Sequence, residues 1–178
     1  ATFGRGISKS IAAALEEPDL ARVCEALDLL DATDPGRARP TSELDAAISR
    51  LDARALAEHL DEAPPDQHAQ FTRFAVRLGA AATDLACEVL ARGRSPRTRA
   101  AAGAALAFLC EHDPRRLAAQ LADPRIEVVS QIVFVLGQIG GPPVVELLAL
   151  AGQHSDPLVQ RQVVHALGSV PEELRLPL

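Results

Sequence analysis

Apolar residues recur along this chain with the three-to-four-residue spacing of amphipathic helices, and short stretches rich in Pro, Gly and Asp separate the helical segments. Four segments contain a leucine that is followed by Gly or Ala, at Leu78, Leu106, Leu136 and Leu167. These leucines are almost evenly spaced, and the residue four positions before each of them is apolar. Regular spacing over this length predicts a helical repeat array, in which neighbouring units bury one another's apolar faces.

Each period is predicted to contain two helices. We expect first helices near 66–79, 95–110, 124–139 and 156–168, and second helices near 82–92, 114–122 and 142–152. Asp-Pro pairs at 113–114, 123–124 and 156–157 place a capping carboxylate before a proline that has no amide to leave unpaired. One helix is expected to end at Gly140-Gly141, and the next is expected to begin at Pro142-Pro143. The glycine after a repeat leucine allows a helix to end or to pass close to its neighbour.

Residues 1–63 are predicted to be helical but lie outside the register of the repeats. Helices are expected at 7–16, 19–30, 42–51 and 53–60. Asp52 is a candidate cap between the last two, and Pro64-Pro65 marks the join to the regular repeats. The predicted organisation is a divergent N-terminal region or cap over 1–63, followed by about four repeats over 64–178. The last repeat is expected to be incomplete, and the whole is expected to form one continuous solenoid.

The repeat motif resembles the HEAT repeat family in its short bacterial form. The motif opens with Asp-Pro and closes the first helix with Ala-Leu-Gly or a close variant, most clearly over 156–168 and next over 123–137, whereas residues 66–110 match it more weakly. The resemblance implies an all-α, right-handed solenoid of antiparallel helix pairs, with a binding or scaffolding role and no catalysis. The arginine that often follows the opening of the family's repeat is present only as Arg99. This argues against the ladder of Asp and Arg that the family builds between repeats.

Composition restricts the class of protein further. Ala and Leu together supply a third of the chain, aromatic residues make up 3%, and Trp, Tyr and Met are absent. The absence of Met predicts either a piece of a longer protein or a processed product. No stretch is long and apolar enough to span a membrane, and there is no signal-peptide pattern. Cys24, Cys87 and Cys110 are widely spaced within helical patterns, so we expect buried free thiols in a reducing, cytoplasmic compartment.

Charge is distributed unevenly, and the middle of the chain is basic. Net charge is −6 overall, which argues against a general nucleic-acid or anionic-membrane binder. Residues 16–66 carry 14 acids against 5 Arg, whereas residues 67–125 carry 9 Arg against 5 acids. The candidate partner-binding residues are Arg92, Arg94, Arg97, Arg99, Arg115 and Arg116. Arginine makes bidentate contacts with carboxylates, so the partner is expected to present an acidic segment. The alternative is a solvated turn whose arginines pair with neighbouring acids.

The helix predicted at 124–139 is apolar on more than one side. Burial between repeats explains most of this pattern. The apolar residues that such burial does not explain leave open a surface for a partner or for self-association. Self-association through the C-terminal end of the array is a second option.

No catalytic, cofactor or metal site is expected. His154-Ser155-Asp156 fits a helix cap better than a triad, and the pairs Glu58-His59 and Glu111-His112 are isolated. The expected function is therefore a non-enzymatic protein-interaction scaffold or regulatory module. An accessory subunit of an enzyme, of the HEAT-like lyase or hydroxylase type, is the alternative. A nucleic-acid-binding HEAT-like protein is a third interpretation, weakened by the single Lys and the absence of Trp and Tyr.

Overall fold

A computed structural model describes residues 51–170, and this part of the chain is helical throughout, with no strand. Its seven α-helices are α1 (Ala53–Glu62), α2 (Pro65–Leu78), α3 (Thr83–Arg92), α4 (Pro96–Leu109), α5 (Ile126–Ile139), α6 (Pro142–Ala151) and α7 (Pro157–Gly168). Two 3₁₀ helices, Gly79–Ala82 and Pro114–Ala122, join them. The predicted all-α class of paired helices is confirmed. The expectations for residues 1–50 and 171–178 lie outside the described residues.

Two of the predicted helix caps are formed by aspartate side chains. The Asp52 carboxylate accepts hydrogen bonds from the backbone N–H groups of Arg54 (2.9 Å) and Ala55 (3.2 Å) at the start of α1. Asp156 accepts from the N–H of Leu158 at 2.7 Å at the start of α7. Each carboxylate satisfies amides that have no partner within the helix, so local sequence alone fixes these two starts.

The cap predicted at Asp123-Pro124 is wrong in its position, because α5 begins two residues later than Pro124. The Asp123 carboxylate accepts from the backbone N–H of Arg125 at 2.8 Å and from its Nε at 2.9 Å. Asp123 therefore closes a tight turn on Arg125 instead of capping the first turn of the helix. Arg125 takes the cap position and offers no side-chain hydrogen bond there.

The second helix predicted over 114–122 is present but is a 3₁₀ helix rather than an α-helix. Asp113 makes no side-chain cap bond, and its carboxylate instead accepts from Nε of Arg116 at 3.3 Å. Pro114, Leu117 and Leu121 are buried, so the apolar side of the segment still faces the core. The apolar pattern located the segment correctly, but it does not distinguish the 3₁₀ form from an α-helix.

Glycines end helices where the sequence predicted a break. Gly79 has φ of 65° at the end of α2, and Gly140 and Gly141 have φ of 68° and 87° between α5 and α6. Residues with a Cβ rarely adopt this left-handed region, whereas glycine enters it without steric cost. The break between α5 and α6 is therefore set by the local sequence.

The chain divides into two compact units, Ala1–Ala101 and Ala102–Leu178, and the division falls within α4. In the described part of the first unit, α1 packs on α3, and the Gly79–Ala82 turn contacts α2 and α3. Phe71, Phe74 and Leu60 are fully buried there. The predicted boundary between residues 63 and 64 and the predicted continuous solenoid stay predictions.

The second unit is built around α5. This helix packs against α7, α6 and the 3₁₀ helix Pro114–Ala122, while α6 also contacts α7. Leu106, Ile132 and Leu136 are fully buried, so two of the four repeat leucines lie in this core. A Cβ on Gly137 would lie 2.9 Å from the Cβ of Ala166, which shows that α5 and α7 approach closely at this point.

Two of the three cysteines fall within the described residues, and both behave as predicted. Cys87 and Cys110 are buried free thiols. Burial raises the pKa of the Cys110 thiol to about 11, so the group is protonated and unreactive near neutral pH. Cys24 lies outside the described residues, and the expected cytoplasmic location stays a prediction. None of the helices in residues 51–170 has the length and apolar character needed to cross a membrane.

Candidate functional site

The basic cluster predicted from the sequence lies at the turn between α3 and α4, over residues 93–95. Asp61, near the end of α1, fixes this turn. Its carboxylate oxygens accept from the backbone N–H of Arg94 at 3.0 and 2.9 Å, and Oδ1 also accepts from the N–H of Ser95 at 2.8 Å. One side chain therefore holds two successive amides of the turn, and it anchors the segment that carries the arginines.

The guanidinium of Arg99 closes the same turn from the α4 side. Its Nη1 donates to the backbone carbonyl of Gly93 at 3.1 Å and to that of Arg94 at 2.6 Å. These carbonyls follow the end of α3 and have no helical partner, so Arg99 acts as a C-terminal cap. In this position Nη1 of Arg99 is used by the turn itself.

Buried polar groups support the start of α4. The Ser95 Oγ accepts from the backbone N–H of Thr98 at 3.0 Å and lies 2.9 Å from the Thr98 Oγ1. Thr98 is fully buried, and its hydroxyl lies 3.5 Å from Nε2 of the buried His68. A Cβ on Gly93 would lie 2.7 Å from the Cγ2 of Thr98, so only glycine fits there without a shift. Gly93 and Thr98 were not predicted, although a glycine one residue after a helix end is the usual signal.

The environment of Asp61 stabilises its charged form. Burial raises the pKa of the Asp61 carboxyl, but the hydrogen bonds from the Ser95 and Arg94 N–H groups and from the Thr98 and Ser95 hydroxyls lower it more. The pKa therefore lies below its ordinary value of 3.8. A lowered pKa in the folded state means that this carboxylate stabilises the fold above the unfolded-state value and stops doing so as pH falls through the folded-state value.

We expect Asp61→Ala to lower the free energy of unfolding by about 1–3 kcal/mol at pH 7, because two turn amides lose a charged acceptor. The matched control is Glu62→Ala, at an exposed neighbouring position of α1, for which the change should stay within about 0.5 kcal/mol. Urea unfolding at a series of pH values measures both. The deficit of the Asp61 variant should be constant above about pH 5 and should shrink below about pH 4. A deficit that grows as pH falls would contradict this account.

Among the six candidate arginines, two have side chains that are not engaged by the described part of the chain. The guanidinium groups of Arg94 and Arg97 make no ion pair or hydrogen bond to residues 51–170, and both residues are exposed. The Asp61 carboxylate holds the backbone N–H of Arg94, so the turn is fixed while the side chains remain available. The structure thus places Arg94 in the turn and Arg97 in the first turn of α4.

The remaining candidates are paired with nearby acids, as the alternative interpretation of the basic run expected. Arg92 Nε lies 2.8 Å from Glu88 Oε2 within α3, and Arg115 Nη2 lies 3.1 Å from Glu146 Oε2. Arg116 pairs with Asp113, as described above. All these side chains are more than 40% exposed, and ion pairs of this kind contribute about 0–1 kcal/mol. A partner carboxylate could therefore replace the internal one at small cost.

Apolar side chains are exposed on the first helices of the second unit. Phe134 of α5 is 43% exposed, and Phe108 of α4 is 60% exposed. The sequence predicted more apolar residues on 124–139 than burial between repeats explains. Phe134 is the exposed one, because its neighbours Ile132, Val133 and Val135 are fully buried. Phe108 was not predicted. The signal was present, because a residue two positions after the buried Leu106 points away from the core side of a helix.

No metal centre can be built from the described residues. Residues 51–170 contain no group of three or more His, Cys, Asp or Glu side chains placed to hold an ion. His59 instead pairs with the side chain of Gln67, its Nε2 lying 2.9 Å from Oε1. Nδ1 of His154 accepts from the backbone N–H of Asp156 at 3.0 Å, so this histidine supports the start of α7.

Comparison with protein-family models identifies the repeat. Residues 114–178 match the model described as HEAT repeats. This segment is similar to HEAT repeats. The match covers the repeats that open at Asp123 and Asp156, which carry the clearest motif, and the recognised family is the one that the sequence indicated. HEAT repeats generally act as protein-interaction scaffolds, and they commonly mediate protein binding. Neither the curated proteins nor the solved structures include a significant match to the chain.

Proposed function

We propose that this chain is a non-enzymatic protein-binding scaffold or regulatory module that holds an acidic segment of a partner. The observation that carries the proposal is the pair of unengaged guanidinium groups, Arg94 and Arg97, on a turn that Asp61 and Arg99 hold in place. A fixed backbone reduces the ordering cost of binding, so more of the contact energy appears as affinity. The HEAT-repeat match at 114–178 supports a protein as the partner.

Charge and geometry support an acidic partner in particular. Each guanidinium offers a planar set of donors that matches a carboxylate, and charge-assisted hydrogen bonds are the stronger class. Arg92 belongs to the proposal as a secondary contact, because its exposed acid can be exchanged for that of a partner. Arg115 and Arg116 lie in the second unit and are separate candidates for a contact of the same kind. Arg99 contributes by holding the turn rather than by contacting the partner.

We expect the double variant Arg94→Glu/Arg97→Glu to weaken partner binding about tenfold or more, because two charge-assisted contacts become repulsive. The control is Arg54→Glu/Arg73→Glu, which makes the same change of net charge at exposed positions of α1 and α2. Bait proteins of both kinds are used for affinity capture from native lysate. Bound proteins are quantified by mass spectrometry, and helicity is compared by circular dichroism.

The proposal requires that the first variant loses a stoichiometric protein partner, that the control retains it, and that helicity is unchanged in both. Equal retention by both variants would remove Arg94 and Arg97 from the binding site. A bound fraction that contains only nucleic acid or a coloured or metal-bearing small ligand would favour the alternatives, a nucleic-acid binder or an accessory enzyme subunit. Absorbance spectra and elemental analysis of the same fraction distinguish these two.

A further inference from the structure

Two neighbouring helix segments of the second unit carry no charged residue. Residues 102–109 of α4 and residues 128–139 of α5 contain no Asp, Glu, Lys or Arg, although these types make up 24% of the chain. Burial accounts for the side chains that face the core, but Ala104, Phe108 and Phe134 are exposed. The exposed side of these segments is therefore as free of charge as the buried side.

The exposed residues of the two segments lie on one side of the helix pair. A Cβ on Gly103 would lie 3.4 Å from Cγ2 of Val135, so α4 and α5 face each other at this point. As first helices of successive repeats they run in the same direction. Each residue advances about 100° around a helix, so the residue after Gly103 and the residue before Val135 turn to the same side. These residues are Ala104 and Phe134, and an exposed ring therefore lies beside an exposed methyl group at nearly the same level.

We propose that this face, defined by Ala104, Phe108 and Phe134, forms a reversible dimer with the same face of a second copy of the chain. A two-fold axis parallel to the helices and between them sets α5 of each copy on α4 of the other. Phe134 of each copy then packs on Ala104 of the other, and Phe108, one turn beyond Ala104, borders the same notch. Each copy offers both the projecting ring and the small residue that receives it, which is what a two-fold interface requires.

Charge favours a second copy over other occupants of this face. The chain has a net charge of −6, so two copies repel each other overall. A contact made through residues 102–109 and 128–139 places no like charges opposite each other. A partner of another kind gains no electrostatic attraction at this face, whereas the turn that carries Arg94 and Arg97 offers it. The face and the turn are therefore expected to bind different molecules, and the dimer goes beyond the proposed function.

The exposed area sets the strength of the dimer. Phe108 is 60% exposed and Phe134 is 43% exposed, which leaves about 100 Å² of each ring open to solvent. Two such rings in each copy, with the small and amide side chains beside them, give a contact smaller than the roughly 1,200–2,000 Å² of stable interfaces. We therefore expect a reversible dimer with a dissociation constant between about 10 µM and 1 mM.

The test measures the mass of the full chain by sedimentation equilibrium at concentrations from about 5 µM to about 1 mM. The mass should rise from 18.8 kDa towards that of a dimer across this range. Phe134→Asp and Ala104→Asp should each weaken the association at least about tenfold, because each places a carboxylate in the contact. The control is Val164→Asp, which introduces the same charge at another exposed apolar residue of the second unit and should leave the association unchanged. Circular dichroism compares the helicity of all variants.

A mass of 18.8 kDa at every concentration would overturn the inference. An association that Val164→Asp abolishes and Phe134→Asp does not would assign the contact to α7 instead. Loss of association in Phe134→Asp but not in Ala104→Asp would contradict the pairing of ring and methyl group. If Phe134→Asp loses helicity, Ala104→Asp alone decides. None of these variants alters Arg94 or Arg97, so failure here is distinguishable from failure of the proposed function.

Discussion

We expect Phe74→Ala to lower the free energy of unfolding by about 3–5 kcal/mol. Phe74 lies on α2, four residues before the repeat leucine Leu78, and its side chain is fully buried in the first unit. Truncation removes an aromatic ring from a closely packed interior, so both the burial and the packing of its neighbours are lost. Urea unfolding followed by circular dichroism measures the change, since the chain has no Trp or Tyr to serve as a fluorescent probe.

The matched control is Phe108→Ala, which deletes the same side chain from an exposed position of α4. Its free energy of unfolding should stay within about 0.5 kcal/mol of the wild-type value. Similar losses for the two variants would contradict the burial pattern on which the assignment of core and surface rests. A loss at Phe108 alone would show that this ring is covered and would withdraw it from the exposed apolar surface.

The second large effect is expected at Gly137, where we predict that alanine lowers the free energy of unfolding by about 1–3 kcal/mol. In most helix positions alanine would instead stabilise by up to about 1 kcal/mol, because glycine is the poorer helix former. Here the added Cβ would lie 2.9 Å from the Cβ of Ala166 and 3.1 Å from its Cα, so α5 and α7 must move apart. Urea unfolding followed by circular dichroism measures the loss.

Two further variants isolate the cause of this loss. Gly168→Ala places the same methyl group at the corresponding position of α7, where it meets no described heavy atom within 4 Å, so no loss is expected. Ala166→Gly should recover part of the stability when combined with Gly137→Ala, because it removes the nearer of the two atoms that the new Cβ would meet, the Cβ of Ala166. Additive effects of the two substitutions would contradict a direct contact between them, since residues that touch are expected to show coupling.

Much of the fold could be predicted from the sequence because its signals are local. Proline after a capping residue, and glycine in the left-handed region, fix helix ends without reference to the rest of the chain. The break at Gly140-Gly141 and the caps at Asp52 and Asp156 are of this kind. The cap predicted at Asp123 failed because the neighbouring Arg125 offered its carboxylate three donors, the backbone N–H, Nε and Nη2. Residue types alone do not resolve this competition.

The candidate site was less predictable, because it depends on contacts between distant residues. Composition located the run of arginines, but it did not separate their roles. The structure shows that Arg99 caps the end of α3. The guanidinium groups of Arg94 and Arg97, in contrast, are not engaged by the described residues. The support from Asp61 joins α1 to the turn after α3, with a whole helix pair between them in the sequence. No local pattern marks such a pair in a single sequence.

The most direct test of a protein-binding role at this turn is site-specific photo-crosslinking in cells that express the chain. A photoreactive amino acid replaces Arg97 in one variant and the exposed Ala55 of α1 in a control. Our account predicts that position 97 gives a discrete cross-linked product with a single protein, that position 55 does not, and that Arg94→Glu reduces the yield at position 97. Cross-linking to nucleic acid, or equal protein products from both positions, would contradict it.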